Sequence, residues 1–199
     1  MLERLQELEN EARKLEPSAD QRRDWHQQVH QHAEDFFNDL PERKAYDYTG
    51  TNNKTLSEFD ITNDPKDITQ LLHLLDQHLE RVGINSASGG HLGYIPGGGV
   101  YPSALGDYLA AVSNKYAGIF FSSPGSVRME NQLIRWLCQM IGYPSTALGN
   151  LTSGGSIANL IAITTARDFK NIRSKDVENA VIYLTKQTHH CVQKALRIA

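Results

Sequence analysis

Three stretches of this sequence gather the residue types that do chemistry. The first is Gly149-Asn-Leu-Thr-Ser-Gly-Gly-Ser-Ile-Ala-Asn-Leu160, an apolar run that turns through Ser153, Gly154, Gly155 and Ser156 into a helix. Glycines let a backbone approach a ligand closely, and a helix start presents unpaired N–H groups at the positive end of its dipole. Together they form an anion cradle, most often for phosphate. Ser156 suits either the N-cap or a hydroxyl donor to that phosphate. A serine-capped glycine turn without a ligand fits the same residues. The turn lacks the Gly-Lys-Ser/Thr of an NTP-binding loop and the Gly-x-Gly-x-x-Gly of a dinucleotide site.

The second stretch is Thr185-Lys-Gln-Thr-His-His-Cys-Val-Gln-Lys-Ala195, which follows a strand candidate and opens a helix. Ligands of open α/β sheets sit beyond the carboxyl ends of the strands, where His189 and His190 fall. A histidine there can stack on a flat ring or move a proton; a capping or surface pair is the alternative. Cys191 reads as a small buried thiol. The third stretch, His91-Leu-Gly-Tyr-Ile-Pro-Gly-Gly-Gly-Val-Tyr-Pro102, is rich in glycine and apolar residues. Tyr94, Ile95 and Pro96 can form a wall against an apolar group, or simply redirect the chain. His26 and His30 have a metal-compatible helical spacing, but with no third ligand nearby they read as a solvated face.

The elements that must position these residues follow from periodicity. Leu2, Leu5, Leu8, Ala12 and Leu15 share one helical stripe ending at Pro17, and Trp25, Val29, Ala33, Phe36, Phe37 and Leu40 share another ending at Pro41. Narrow stripes on polar helices suit packing against a partner, or a plain surface helix. A third helix is expected from Asp64 as N-cap and Pro65 as first residue. Its buried face is Ile68, Leu71, Leu72, Leu75, Leu79 and Val82, and Gly83 is its stop. Eight glycines between Gly83 and Gly106 mark a change in composition, and a boundary is placed near residue 85. Helices are expected over about 102–116, 127–141 and 157–170, a short buried strand over 180–185, and a last helix from about 190. Alternating strand, turn and helix in the last third is the pattern of an α/β domain with a parallel sheet. One or two strands do not complete such a domain, and nothing in the last residues stops the final helix, so the sequence reads as the first part of a longer fold.

Composition bounds the function. The 199 residues carry 20 Lys plus Arg against 23 Asp plus Glu, a net charge of −3. That gives no basic footprint for nucleic acid and no polybasic membrane patch. Two cysteines, Cys138 and Cys191, fit no disulfide scaffold or zinc pattern. A reducing, cytoplasmic location is expected.

The order of the motifs resembles the pyridoxal-phosphate-dependent amino-acid decarboxylases of the group that contains the aromatic-amino-acid, histidine and glutamate decarboxylases. Four stretches carry the likeness: Tyr94-Ile-Pro with Tyr101-Pro102; Ser123-Pro-Gly-Ser-Val-Arg-Met-Glu130 leading into Trp136-Leu137; the turn from Thr152 to Asn159; and Gln187 to Ala195. The resemblance implies a helical dimerisation segment over 1–84. It implies that 85–199 begin a fold-type I large domain, a mainly parallel sheet flanked by helices. It implies a homodimer, and pyridoxal 5'-phosphate as cofactor. By position, Gly154, Gly155 and Ser156 would hold the phosphate, and His189 would stack on the pyridine ring close to the substrate. Tyr94, Ile95, Pro96 and Gly97 would line the substrate pocket. Gly97 stands where the aromatic decarboxylases can carry a threonine, so only backbone contact is left there. The family's Schiff-base lysine follows a histidine, and this sequence has no His-Lys dipeptide. The expected activity is decarboxylation of an L-amino acid to an amine and CO₂, with only part of the site present and this chain alone inactive. A non-catalytic homologue that binds a phosphate-bearing ligand or pairs with a full-length relative is the alternative, and another lyase of the same fold a third.

Overall fold

The computed structural model describes residues 1–49, 64–95 and 97–199. The chain divides into two units, Met1–Tyr108 and Leu109–Ala199.

The first unit opens with helix α1, Leu2–Ala12, continued by a 3₁₀ turn, Arg13–Leu15. Its leucine stripe stays in solvent, from 45 % exposure at Leu8 to 87 % at Leu15. Helix α2, Ala19–Asp39, starts from a reciprocal cap: Ser18 Oγ accepts from Gln21 N, and Gln21 Oε1 accepts from Ser18 N. Each bond satisfies an amide that the helix start leaves without a partner. Helix α3 spans Ile68–Leu75 and relaxes into a π turn, Asp76–Glu80. It starts later than the sequence suggests. Its N-cap is Asp67, whose carboxylate accepts from Thr69 N at 2.8 Å. Asp64 and Pro65 lie ahead of the helix, where the fixed φ of proline suits extended backbone equally well. Of the expected buried face, Ile68, Leu72 and Val82 are half-buried, whereas Leu71, Leu75 and Leu79 are exposed. Gly83 takes the left-handed region expected of it, at φ +86°.

A parallel sheet is not what the described residues form. Their strand pairing is the two-residue strands β1, Tyr46–Asp47, and β2, Gly83–Ile84, which run antiparallel with Tyr46 opposite Ile84. The expected strand at 180–185 carries no ladder. A strand exists only through hydrogen bonds to a neighbour. Without one, the apolar side chains stay in solvent, Val181 at 69 % and Tyr183 at 93 % exposure.

Helix α4, Tyr101–Ser113, contains the division between the units. In the second unit, helix α5 spans Pro124–Met140 with proline at its first turn, and Gly142, at φ +82°, follows its end. Helix α6 spans Gly155–Phe169, a 3₁₀ stretch spans Ser174–Asn179, and helix α7 spans His190–Ile198. The buried apolar residues are Ile134, Cys191 and Ala195. Helices α6 and α7 pack side by side and parallel. Asn159, one turn into α6, meets Cys191 in the first turn of α7, and Arg167 near the end of α6 donates to the Ala199 carbonyl at 2.6 Å. The two N-termini therefore lie at the same end of the pair.

Candidate cofactor site

The glycine turn is held from both sides. On its approach, Gly149 packs so closely on α5 that a Cβ there would lie 3.1 Å from Ile134 Cγ2. Glu130 of α5 accepts from Leu151 N at 3.3 Å, and Thr152 Oγ1 donates to the Gly154 carbonyl at 3.1 Å. Gly154 is the N-cap of α6, at φ 151° and ψ 172°. That backbone region belongs essentially to glycine. Ser156 is therefore not the N-cap. It is the second helical residue, because the chain turns one step earlier, at the residue that alone tolerates the turn's dihedrals.

This geometry leaves donors. The first amide with a helical acceptor is Ala158, bonded to the Gly154 carbonyl at 3.1 Å, and α6 has no side-chain cap. The amides of Gly155, Ser156 and Ile157 are thus the orphans of a helix start. A Cβ built on Gly154 or on Gly155 meets nothing within 4 Å. The approach is open, the donors converge and Ser156 adds a hydroxyl. The positive ends of two parallel helix dipoles face the same way. A phosphate group fits this donor set.

His189 lies at the same end. It is the N-cap of α7, and its Nδ1 accepts from Cys191 N at 3.2 Å. An accepting Nδ1 puts the proton of the neutral ring on Nε2 and fixes the ring's orientation. His189 therefore does cap the helix, and the cap leaves Nε2 and a ring face for other work. The ring of His190 lies 4.1 Å from it, tilted by 35°. The structure thus places the turn of Gly154, Gly155 and Ser156 and the His189 ring at the same end of one helix pair in the second unit.

Tyr94, Ile95 and Gly97 belong to the first unit, and Pro96 lies outside the described residues. Tyr94 and Ile95 hold φ of 60° and 50°, and both are almost fully exposed. A left-handed β-branched residue is strained, which marks this segment as special.

Sequence reasoning missed a polar cluster in the first unit. The Arg43 side chain, 8 % exposed, lies over the Phe36 ring at 4.3 Å and near Asp76 at 3.6 Å and Glu80 at 3.9 Å. His32 Nε2 meets Glu80 Oε1 at 2.9 Å. Burial by itself would raise the Asp76 carboxyl. The hydrogen bond and charge of Arg81 outweigh it, with help from Gln77 and Arg43, and the pKa falls below the ordinary value. The bond to Asp76 in turn raises the Arg81 guanidinium. The signal was faint, because its charges are scattered from residue 32 to residue 81. Among the described residues no group of three or more His, Cys, Asp or Glu can hold a metal, and no helix is long and apolar enough to cross a membrane.

In fold, the chain is similar to solved structures of plant proteins. It superposes on the Rhodiola rosea 4-hydroxyphenylacetaldehyde synthase with TM-score 0.80 at 17 % identity, over 91 % of this chain and 41 % of that one. It superposes on the Oryza sativa TDC, solved with PLP and tryptamine, with TM-score 0.77 at 19 % identity, over 92 % of this chain and 42 % of that one. Residues 51–199 match the pyridoxal-dependent decarboxylase conserved domain, and the chain belongs to that family. An aromatic-L-amino-acid decarboxylase of Bacillus atrophaeus is 36 % identical over 136 residues, which is 68 % of this chain and 27 % of that protein. The chain spans about a quarter of the length of the curated relatives it matches. The family's cofactor is pyridoxal 5'-phosphate.

Proposed function

We propose that this chain supplies part of the active site of a pyridoxal-phosphate-dependent decarboxylase, which converts an L-amino acid to an amine and CO₂. The observation that carries the reading is the open turn at Gly154, with its orphan amides at the end of the helix pair where His189 also lies. In this reading the amides of Gly155 and Ser156 and the Ser156 hydroxyl hold the phosphate. The fixed ring of His189 stacks on the pyridine and lies close to the substrate. Tyr94, Ile95, Pro96 and Gly97 line the substrate pocket. When bound, the cofactor supplies an electron sink for the carbanion left by loss of CO₂.

The lysine chemistry comes from elsewhere. None of the nine lysines follows a histidine, so we assign the Schiff-base lysine and the acid facing the ring nitrogen to sequence that these 199 residues do not contain. The working protein would then be longer than this chain and cytoplasmic. It would be a homodimer with residues 1–84 as the dimerising segment. The exposed leucine stripe of α1 supports that role.

The test is CO₂ release from a panel of L-amino acids. The assays compare the protein isolated from its native cell, with its intact mass measured, and the 199-residue chain, both with added pyridoxal phosphate. The reading expects a native mass above 22.3 kDa, release from the native protein and none from the chain alone. A native protein of 22.3 kDa without activity overturns the decarboxylase reading and leaves the non-catalytic homologue.

A further inference from the structure

We infer that Asn159 is a positioning residue that locks the glycine turn to His189. This inference rests on the reading of that turn as the cofactor cradle. Asn159 lies one turn into α6, where the helix otherwise presents Ile157, Ala158, Leu160 and Ile161. Asparagine is a poor helix former there unless its amide is used. It is used twice. Nδ2 donates to the Gly155 carbonyl at 2.8 Å and reaches Cys191 Sγ at 3.6 Å. Cys191 is buried, and its own N–H donates to His189 Nδ1 at 3.2 Å.

One amide thus joins the residue that opens α6 to the residue that orients the imidazole. Arg167 to Ala199 makes the matching tie at the far end of the same helices. Two ties on parallel helices fix both their spacing and their axial register. A slip of α7 along α6 by one residue is about 1.5 Å. Such a slip would carry His189 away from the turn without unfolding anything. Asn159 touches neither cofactor nor substrate in this account. It acts through Cys191 and the Gly155 carbonyl.

The test needs no activity. Asn159→Leu keeps the branched shape and the number of heavy atoms and removes both donor contacts. The ring-nitrogen NMR signals of His189 and the amide exchange of Cys191 are read on the cofactor-free chain. Pyridoxal phosphate affinity is then read by equilibrium dialysis. The inference expects His189 Nδ1 to lose its acceptor signature and Cys191 exchange to rise about three- to tenfold, the worth of one neutral hydrogen bond. It also expects a similar loss of cofactor affinity that shrinks to near unity in a His189→Ala background, since the two act as one unit. Cys191→Ala removes the sulfur acceptor alone, so it serves if Asn159→Leu fails to fold, and should shift the same signals. Unchanged His189 and Cys191 signals in a folded variant overturn the inference. So do affinity losses that simply add. If the unaltered chain takes up no pyridoxal phosphate, the cradle reading fails, and the NMR signals alone decide whether Asn159 sets the imidazole.

Discussion

Replacing Gly154 and Gly155 one at a time separates backbone strain from ligand space. The two residues are adjacent, and at both a new Cβ meets nothing within 4 Å. Their backbones differ. Gly154 sits at φ 151° and ψ 172°, whereas Gly155 is already helical. Alanine at 154 must hold dihedrals that cost an L-residue about 1–3 kcal/mol. Alanine at 155 loses no contact and restricts the unfolded chain, which stabilises by about 0.4–1 kcal/mol. The variants should therefore move apart by about 1.5–4 kcal/mol. In a unit of this size that separates their midpoints by roughly 4–8 °C for each kcal/mol. Thermal unfolding followed by far-UV dichroism reads this, with pyridoxal phosphate affinity measured on the same samples. In the cradle account the phosphate lies against the Gly155 amide, where a methyl on the same residue crowds it, so Gly155→Ala should gain stability and lose affinity. A plain structural turn would not show that opposition. Midpoints that move together, or an affinity indifferent to Gly155→Ala, refute the reasoning.

Three further outcomes follow from other residues. In the assembled enzyme, His189→Ala should lower turnover far more than His190→Ala, since only His189 has a ring fixed by its cap; equal losses in steady-state kinetics remove the ring-stacking role. Because the folded Asp76 pKa lies below its ordinary value, its contribution is present above about pH 4 and lost as pH falls through the depressed folded value. Asp76→Asn should therefore flatten the acid side of a stability–pH curve while costing stability at neutrality, and an unchanged acid limb counts against the ion pair with Arg81. Ser18→Ala removes one half of the α2 cap and should cost about 1 kcal/mol, readable as a lower urea midpoint at constant slope.

Much of the helical frame is legible because periodicity and punctuation agree. Gly142 follows the end of α5 as its expected stop, and the apolar positions before it repeat at helical spacing. The helix starts at Pro124, ahead of the expected 127, because proline suits a first helical turn. Where two residues compete for one role, sequence alone misplaces the boundary. Asp64 and Asp67 both suit an N-cap, and Thr69 decides it by giving its amide to Asp67. Ser156 and Gly154 compete similarly, and the dihedral at Gly154 decides. The strand expected at 180–185 illustrates a different limit. Its residues suit a buried strand, but strand formation is a property of a pair, and no described segment pairs with it. At the site, the phosphate turn and His189 are readable as types and order. The tie through Asn159 joins residues 32 apart and leaves no periodic trace.

The central claim is that the turn at Gly154 to Ser156 is a phosphate cradle. Its most direct test is equilibrium binding of pyridoxal 5'-phosphate to the chain, beside unphosphorylated pyridoxal and a Ser156→Ala variant. The account predicts binding that depends on the phosphate and weakens about tenfold or more without the Ser156 hydroxyl, as a charge-assisted hydrogen bond implies. Equal affinity for both vitamers, or an affinity unmoved by Ser156→Ala, would contradict it.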